Sequence, residues 1–161
     1  MPCVLRLDQS SDSVARAIHA VQIAAYTQEA ALLGAREFPP LYRTVQDIAR
    51  SGETYCGVYE DQCLVGALGF SSGSRGIGLN IDSLVVLPGH QRRGVAHALM
   101  TEFVAQHGAE NLTVQTGAKN APALALYAGF GFKEFARCML GEEQLELVQL
   151  RRESVRAPGV A

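Results

Sequence analysis

Residues 91 to 96, Gln-Arg-Arg-Gly-Val-Ala, place two guanidinium groups and a glycine where an apolar strand turns into a helix. The run Leu84 to Leu87 is strand-like, and Pro88 and Gly89 punctuate it. A helical pattern begins near Arg93, with Val95, Leu99 and Phe103 at every fourth residue, and Gly108 supplies the stop. The first N–H groups of such a helix have no intrahelical acceptor, and the positive end of its dipole points outward. An anion placed there collects several donors at once. Gly94 lets a ligand approach the backbone closely, and Arg92 and Arg93 add formal charge. These are the parts of a diphosphate cradle. The chain has no Gly-x-x-x-x-Gly-Lys loop followed by Ser or Thr, which excludes the common nucleotide-hydrolysing cradle. The dinucleotide fingerprint Gly-x-Gly-x-x-Gly fails as well, because Gly94 alone lies inside the turn.

A second group of chemistry-bearing residues follows. Residues 111 to 117 alternate like a half-buried strand. Asn120 then suits a helix cap and Pro122 a first turn, and Gly129 and Gly131 end the helix after about two turns. Asn120 and Tyr127 lie nearly two turns apart, so an amide and a phenol face one direction roughly 10 Å apart along the axis.

Together these segments resemble the GNAT superfamily of N-acetyltransferases. The family's coenzyme A loop reads Gln or Arg, two residues, Gly, one residue, then Gly or Ala. Gln91, Gly94 and Ala96 satisfy it, behind Val86 and Pro88 in their usual places. Its second motif reads Asn-x-x-Ala-x-x-x-Tyr-x-x-x-Gly-Phe, and Asn120, Ala123, Tyr127, Gly131 and Phe132 fill every position. The resemblance implies an acetyl-CoA-dependent transferase of the α/β (α+β) class. Its sheet should be central, mixed, mostly antiparallel and splayed, with about seven strands flanked by about four helices. In that fold the two motif strands part into a wedge. The pantetheine arm is then expected along Leu84, Val85 and Val86. The diphosphate is expected on the N–H groups of Arg92, Arg93, Gly94, Val95 and Ala96, beside Gln91, with Asn120 holding an amide of the arm. The acetyl group would pass to a primary amine by direct attack, the Val86 N–H polarising the thioester oxygen. Tyr127 would protonate the departing thiolate, since a phenol pKa of about 10 exceeds a thiol's of about 8.5.

An ammonium must lose a proton before it can attack. Asp82, four residues before Val86, stands where many family members carry a Glu or Asp facing the amine. It reads equally as a strand-end carboxylate bonded to a nearby amide. Asn80 occupies the position of the catalytic Glu of histone-type members. Gln115 occupies that of the Glu in the branch that acetylates ribosomal-protein N-termini. Both differences point to a small-molecule amine acceptor. Tyr26, Glu29 and Glu37 fall in the helix-loop region that contacts the acceptor in the family, and His90 and His97 flank the cradle. For the first three a solvated surface role is the simpler expectation, and for His97 an exposed helix face is simpler than contact with a phosphate. Two rival readings stay open: a protein or peptide acetyltransferase of the same fold, and a non-catalytic acyl-CoA-binding regulator.

The elements that must position these groups are consistent with that architecture. With 161 residues, 48% hydrophobic and 19% charged, the chain suits one domain with a real core. That domain is expected over 1–153, with 154–161 a flexible tail. A net charge of −2 argues against a nucleic-acid partner. The absence of a long apolar run argues against a membrane, and the absence of a signal-like start points to the cytoplasm. Cys3, Cys56, Cys63 and Cys138 show no metal-binding spacing, so no metal and four reduced thiols in small buried roles are expected. A strand is expected at 4–7, and a helix at 12–33 with Val14, Ile18, Val21 and Ala25 on one stripe. Phe38-Pro39-Pro40-Leu41 breaks that helix, and a short helix covers 45–50. A hairpin at 54–60 and 63–70 turns on Asp61-Gln62, and a flexible loop spans 71–78. A final hairpin at 133–140 and 144–152 offers an edge on which a homodimer could form.

Overall fold

Short alternating runs separated by turn residues produce seven strands, joined into one sheet in the order β1-β2-β3-β4-β5-β7-β6. These are β1 (Val4–Leu7), β2 (Thr54–Glu60), β3 (Cys63–Ser72), β4 (Leu79–Val86), β5 (Leu112–Gly117), β6 (Lys133–Leu140) and β7 (Leu145–Arg152). The computed structural model describes residues 2–154. Every neighbouring pair is antiparallel except β4 and β5. That parallel pairing is short: Leu79, Asn80 and Ile81 face Leu112, Thr113 and Val114, and there it stops. Both strands run on unpaired with each other, so the sheet opens into a wedge. A β-bulge accounts for the opening. Gly69 pairs with Ser83 and Phe70 with Ile81, which leaves Asp82 without a partner on β3. Bulges bend a strand and increase its twist. This one also reverses the side-chain parity of β4, so Ile81 packs toward one face of the sheet and Val85 toward the other.

Four helices are described: α1 (Asp12–Leu33), α2 (Val45–Ala49), α3 (Val95–His107) and α4 (Ala121–Gly129). On one face α1 and α2 bury Ala15, Ile18, Val21 and Ile48 against Leu7, Tyr55, Leu64, Ala67 and Val85. On the other, α3 and α4 bury Leu99, Met100, Phe103 and Tyr127 against Val65, Leu68, Ile81, Val114 and Val148. Two glycines set how closely the helices approach. A Cβ on Gly66 of β3 would stand 2.5 Å from Val95 Cγ1 at the start of α3. A Cβ on Gly117 of β5 would stand 2.5 Å from Leu33 Cδ2 at the end of α1. Helix α3 therefore sits tight against β3, and α1 against β5.

The expected boundaries of α1, α4 and the first strand of the first hairpin hold. Strand β4 begins at Leu79, well before the apolar run at 84–87, because Asn80 and Asp82 mask its pattern. Strand β3 extends to Ser72, so the expected loop from 71 starts later and contains a 3₁₀ turn at Ser74–Gly76. Helix α3 starts at Val95 instead of Arg93, behind Gly94 in the left-handed region. The four cysteines are free, but none is buried: Cys3 and Cys63 are exposed, correcting the expectation of small core residues. Cys56 is half-shielded, which pushes its thiol up to about 11. Of the expected tail, Ser154 donates its N–H to Asn111 Oδ1 at 2.8 Å, and residues 155–161 lie outside the described residues.

Candidate active site

A cavity of about 630 Å³ occupies the wedge. Its wall includes Leu84, Val85 and Val86 of β4, Gln91, Arg92, Gly94, Val95 and Ala96 of the following turn, and Asn120 and Tyr127 of α4. Ten of the residues singled out from the sequence therefore meet at one place. Arg93 and Asp82 do not line the cavity. The Arg93 guanidinium instead reaches Glu60 Oε2 at 3.4 Å, an acceptor it shares with His90 Nδ1 at 2.8 Å.

The turn has the geometry of an anion cradle. Arg92 (φ 63°) and Gly94 (φ 79°) both pass through the left-handed region, an arrangement that costs a non-glycine residue about 1 kcal/mol. Among the described residues, no backbone acceptor takes the N–H groups of Gln91 to His97, whereas Ala98 already donates to Gly94 O at 2.9 Å. The Gln91 side chain is held across the cavity mouth by Gln28 of α1, 2.6 Å from Nε2 to Oε1. A Cβ on Gly94 would meet nothing in the protein, so the constraint at that position is its φ and the space in front of it.

Strand β4 supplies an open edge. The Leu87 N–H bonds back to Val65 O of β3 at 2.8 Å. Backbone groups alternate sides along a strand. Those of Val85 consequently face β3, and those of Leu84 and Val86 face the wedge. Val85 contributes to the wall while its side chain packs under α1.

On α4, Asn120 caps the helix by accepting the Ala123 N–H at Oδ1 (3.3 Å) and donates from Nδ2 to Glu29 Oε1 of α1 (3.4 Å). Tyr127 is buried beside Phe132, with ring centroids 5.7 Å apart, and borders the cavity. Desolvation, with smaller contributions from Glu29 and Tyr26, raises its phenol above the ordinary value, so it keeps its proton at any physiological pH. Asp82 lies at the sheet surface, where its carboxylate accepts from Asn80 Nδ2 at 3.0 Å. Lost hydration raises its pKa, and hydrogen bonds from Ser71 and Asn80 oppose the rise. The Asn80 amide oxygen accepts from Thr113 Oγ1 at 2.8 Å, tying the middle of the three paired rungs below the wedge.

The wall also includes α1, which the sequence had suggested through Tyr26 and Glu29. Ala25, Gln28, Glu29 and Leu32 all border the cavity. Their i, i+3, i+4, i+7 spacing marks one stripe beside the buried one, and two polar residues on it were the available signal. Tyr26 packs on Phe38 (6.0 Å between centroids) and is raised above its ordinary pKa by burial. The Glu37 side chain is exposed, while its N–H and that of Arg36 donate to Glu143 between β6 and β7, at 3.2 and 3.0 Å. That carboxylate latches together the two loops at the α1 end of the wedge. His97 borders the cavity and packs on Phe130 at 5.1 Å.

Such a site can hold a long anionic ligand by backbone donors, place its end beside a protonated phenol, and face a carboxylate from α1. Among the described residues no helix is long and apolar enough to cross a membrane, and no three His, Cys, Asp or Glu side chains group as a metal site.

Comparison with known proteins gives three findings. A family model described as "Acetyltransferase (GNAT) family" matches residues 18–132. The UPF0157 protein YqkA of Bacillus subtilis is 35% identical over 130 residues, covering 80% of this chain and 37% of that protein. The chain thus spans little more than a third of the length of this curated relative. Among solved structures, the ribosomal-protein-S18-alanine N-acetyltransferase of Escherichia coli superposes with a TM-score of 0.75 at 15% identity, covering 100% of this chain and 99% of that one. The structure of yncA from Salmonella typhimurium, with its cofactor acetyl-CoA, superposes with a TM-score of 0.73 at 14% identity, covering 100% and 99%. At these identities the structural likeness speaks for the fold.

Proposed function

Because the chain belongs to the acetyltransferase (GNAT) family, we propose that it moves the acetyl group of acetyl-CoA to a primary amine, that of a small molecule, by direct attack in a ternary complex. The observation that carries this reading is the run of N–H groups from Arg92 to Ala96 that have no backbone acceptor among the described residues, beside the same cavity as Tyr127. Those donors, the helix dipole and Arg92 suit the diphosphate of the coenzyme. The Leu84 and Val86 edge suits the amides of the pantetheine arm, which would add to β4 as a short strand. Asn120 keeps one hydrogen on Nδ2 and one lone pair on Oδ1 for the same arm, after its bonds to Glu29 and Ala123. Bound there, acetyl-CoA supplies an activated thioester, and the Val86 N–H polarises its oxygen. Tyr127 holds the proton that the departing sulfur needs.

The Escherichia coli neighbour carries the name of an enzyme acting on a ribosomal-protein alanine, so a peptide N-terminus is the competing acceptor. Asn80 and Gln115 favour the small molecule, since they stand where the protein-modifying branches of the family carry a Glu. Release of free thiol from acetyl-CoA, measured against a panel of small amines and of short peptides, tests the proposal. Turnover with small amines is expected. Tight acetyl-CoA binding without thiol release would favour a regulator that only senses the coenzyme, and turnover of peptides alone would reverse the acceptor assignment.

A further inference from the structure

Glu29 is the one acidic side chain among the described residues that line the cavity. It projects from α1 against two groups of α4: Asn120 Nδ2 donates to its Oε1 at 3.4 Å, and the Tyr127 phenol is close enough to feel its charge. Tyr26, three residues earlier on α1, feels it too. No ion pair involves Glu29 among the described residues. A half-buried carboxylate with neutral neighbours and no cation is costly unless a positive ligand completes it. The basic residues of the cavity wall, His90, Arg92 and His97, all belong to the diphosphate turn and the start of α3. The cation behind Tyr26 is already engaged, for Arg43 bonds Glu53 Oε1 at 3.0 Å and the Tyr55 hydroxyl at 3.3 Å.

We propose that Glu29 forms the ammonium subsite of the acceptor, pairing with a primary ammonium at the α1 wall of the wedge and taking the proton that must leave before attack. The inference rests on the acetyl-transfer reading above and deepens it. It moves the base from Asp82, which stands at the sheet surface outside the cavity, to a carboxylate inside it. Burial raises the Glu29 carboxyl above its usual range, against the Asn120 hydrogen bond, which brings it closer to the pH at which a base works best. The groups facing it are the Tyr26 and Tyr127 phenols and the Asn120 amide, with the Arg43–Glu53 pair behind Tyr26.

The proton balance closes. One ammonium proton passes to the Glu29 carboxylate and later to water. The nitrogen forms its bond to the acetyl carbon as the carbon–sulfur bond breaks. Sulfur takes the Tyr127 proton, and the second nitrogen proton restores the phenol. The products are the amide, free coenzyme A and one proton. The subsite also specifies an acceptor class. Among the described residues it offers one acid and two phenols, and no cation for an α-carboxylate apart from those of the diphosphate turn and the start of α3. An alkylamine or polyamine fits, and a free amino acid does not.

The test uses the whole chain, wild type and Glu29→Gln, with butylamine, spermidine, glycine and alanine as acceptors and acetyl-CoA affinity measured separately. Butylamine or spermidine should react faster than either amino acid. E29Q should lower kcat/KM for the amine about 100-fold near pH 7 with acetyl-CoA affinity kept. Its residual rate should then climb roughly tenfold per pH unit and meet the wild-type rate at about pH 9, below the amine pKa of about 10, because only free amine still reacts, while the wild type stays flat over that span. Equal kcat/KM and equal pH profiles would overturn the role of Glu29 while leaving acetyl transfer intact. Loss of acetyl-CoA affinity in E29Q would reassign Glu29 to the coenzyme site, and preference for glycine or alanine would overturn the acceptor class. Wild-type protein that fails to bind acetyl-CoA at all would refute the underlying function, and the subsite with it.

Discussion

Replacing Gly66 by alanine should disturb the coenzyme cradle from the far side of helix α3. The new Cβ would stand 2.5 Å from Val95 Cγ1 and 3.4 Å from Leu99 Cδ1. Carbon atoms pack best at about 3.5–4.0 Å, so Val95 must retreat by about 1 Å. It is a stiff β-branched residue, 2% exposed, at the first position of α3, and cannot swing aside. Overpacking of this kind costs about 1–3 kcal/mol. At about 2 kcal/mol the Tm of a chain this size falls by about 4–8 °C. The shift is carried into the N–H groups at 95 and 96, and displacement on that scale weakens a positioned ligand by up to about 100-fold. Val95→Ala alone removes about two methylene equivalents and costs about 1.6 kcal/mol. In the double variant the methyl introduced at position 66 occupies part of the space that Val95 vacates. The two changes should therefore couple favourably by about 1 kcal/mol or more in thermal or urea unfolding, with acetyl-CoA affinity partly restored. Additive losses, or a G66A protein with wild-type Tm and affinity, would refute the claim that this contact sets the height of the cradle.

Further expectations concern the site itself. Tyr127→Phe keeps the ring on Phe132 and removes a hydroxyl that borders the cavity, so Tm should hold within about 0.5 kcal/mol of stability while kcat drops about 100-fold or more in a thiol-release assay. Unchanged kcat would remove Tyr127 from the chemistry. Gly94→Val combines a left-handed φ with a side chain in front of the cradle. It should cost about 1–2 kcal/mol of stability and abolish acetyl-CoA binding, and isothermal titration that detects normal affinity would contradict the cradle. Glu29 has a folded pKa raised above its unfolded value. Its contribution is thus fully present below pH of about 4.3 and is lost as pH rises through the folded value. Glu29→Gln should accordingly be more stable than wild type at pH 7–8, with the difference closing below about pH 4. Scanning calorimetry showing E29Q less stable at pH 8 would mean the carboxylate is already well paired.

Local signals carried much of this architecture. Helix α1 has the expected bounds because Gly34 adopts a left-handed cap after Leu33 and nothing within 12–33 breaks the period. The Asp61-Gln62 turn was legible from its place between two apolar runs, and both residues take positive φ (49° and 65°). Asn120 and Tyr127 could be put on one face of a helix because their spacing alone settles it. What depends on distant contacts was not legible. The bulge at Asp82 reverses the parity of β4, and no periodicity within that strand announces it. The docking of α1 against the wedge depends on Leu33 meeting a glycine more than eighty residues away, so its wall-forming stripe resembled an ordinary surface. Asp82 stood out because it lies four positions before Val86, where the family resemblance places a carboxylate, yet it lies at the sheet surface, and Glu29 faces the cavity instead.

The most direct measurement follows the backbone amides of isotopically labelled protein by NMR while coenzyme A, and separately pantetheine without the diphosphate, is added. Coenzyme A should shift the amides of Arg92 to Ala96 most strongly, and pantetheine should leave them in place while moving Leu84 and Val86. Amides at 92–96 that do not respond to coenzyme A, or that respond equally to pantetheine, would contradict the diphosphate cradle on which the whole account depends.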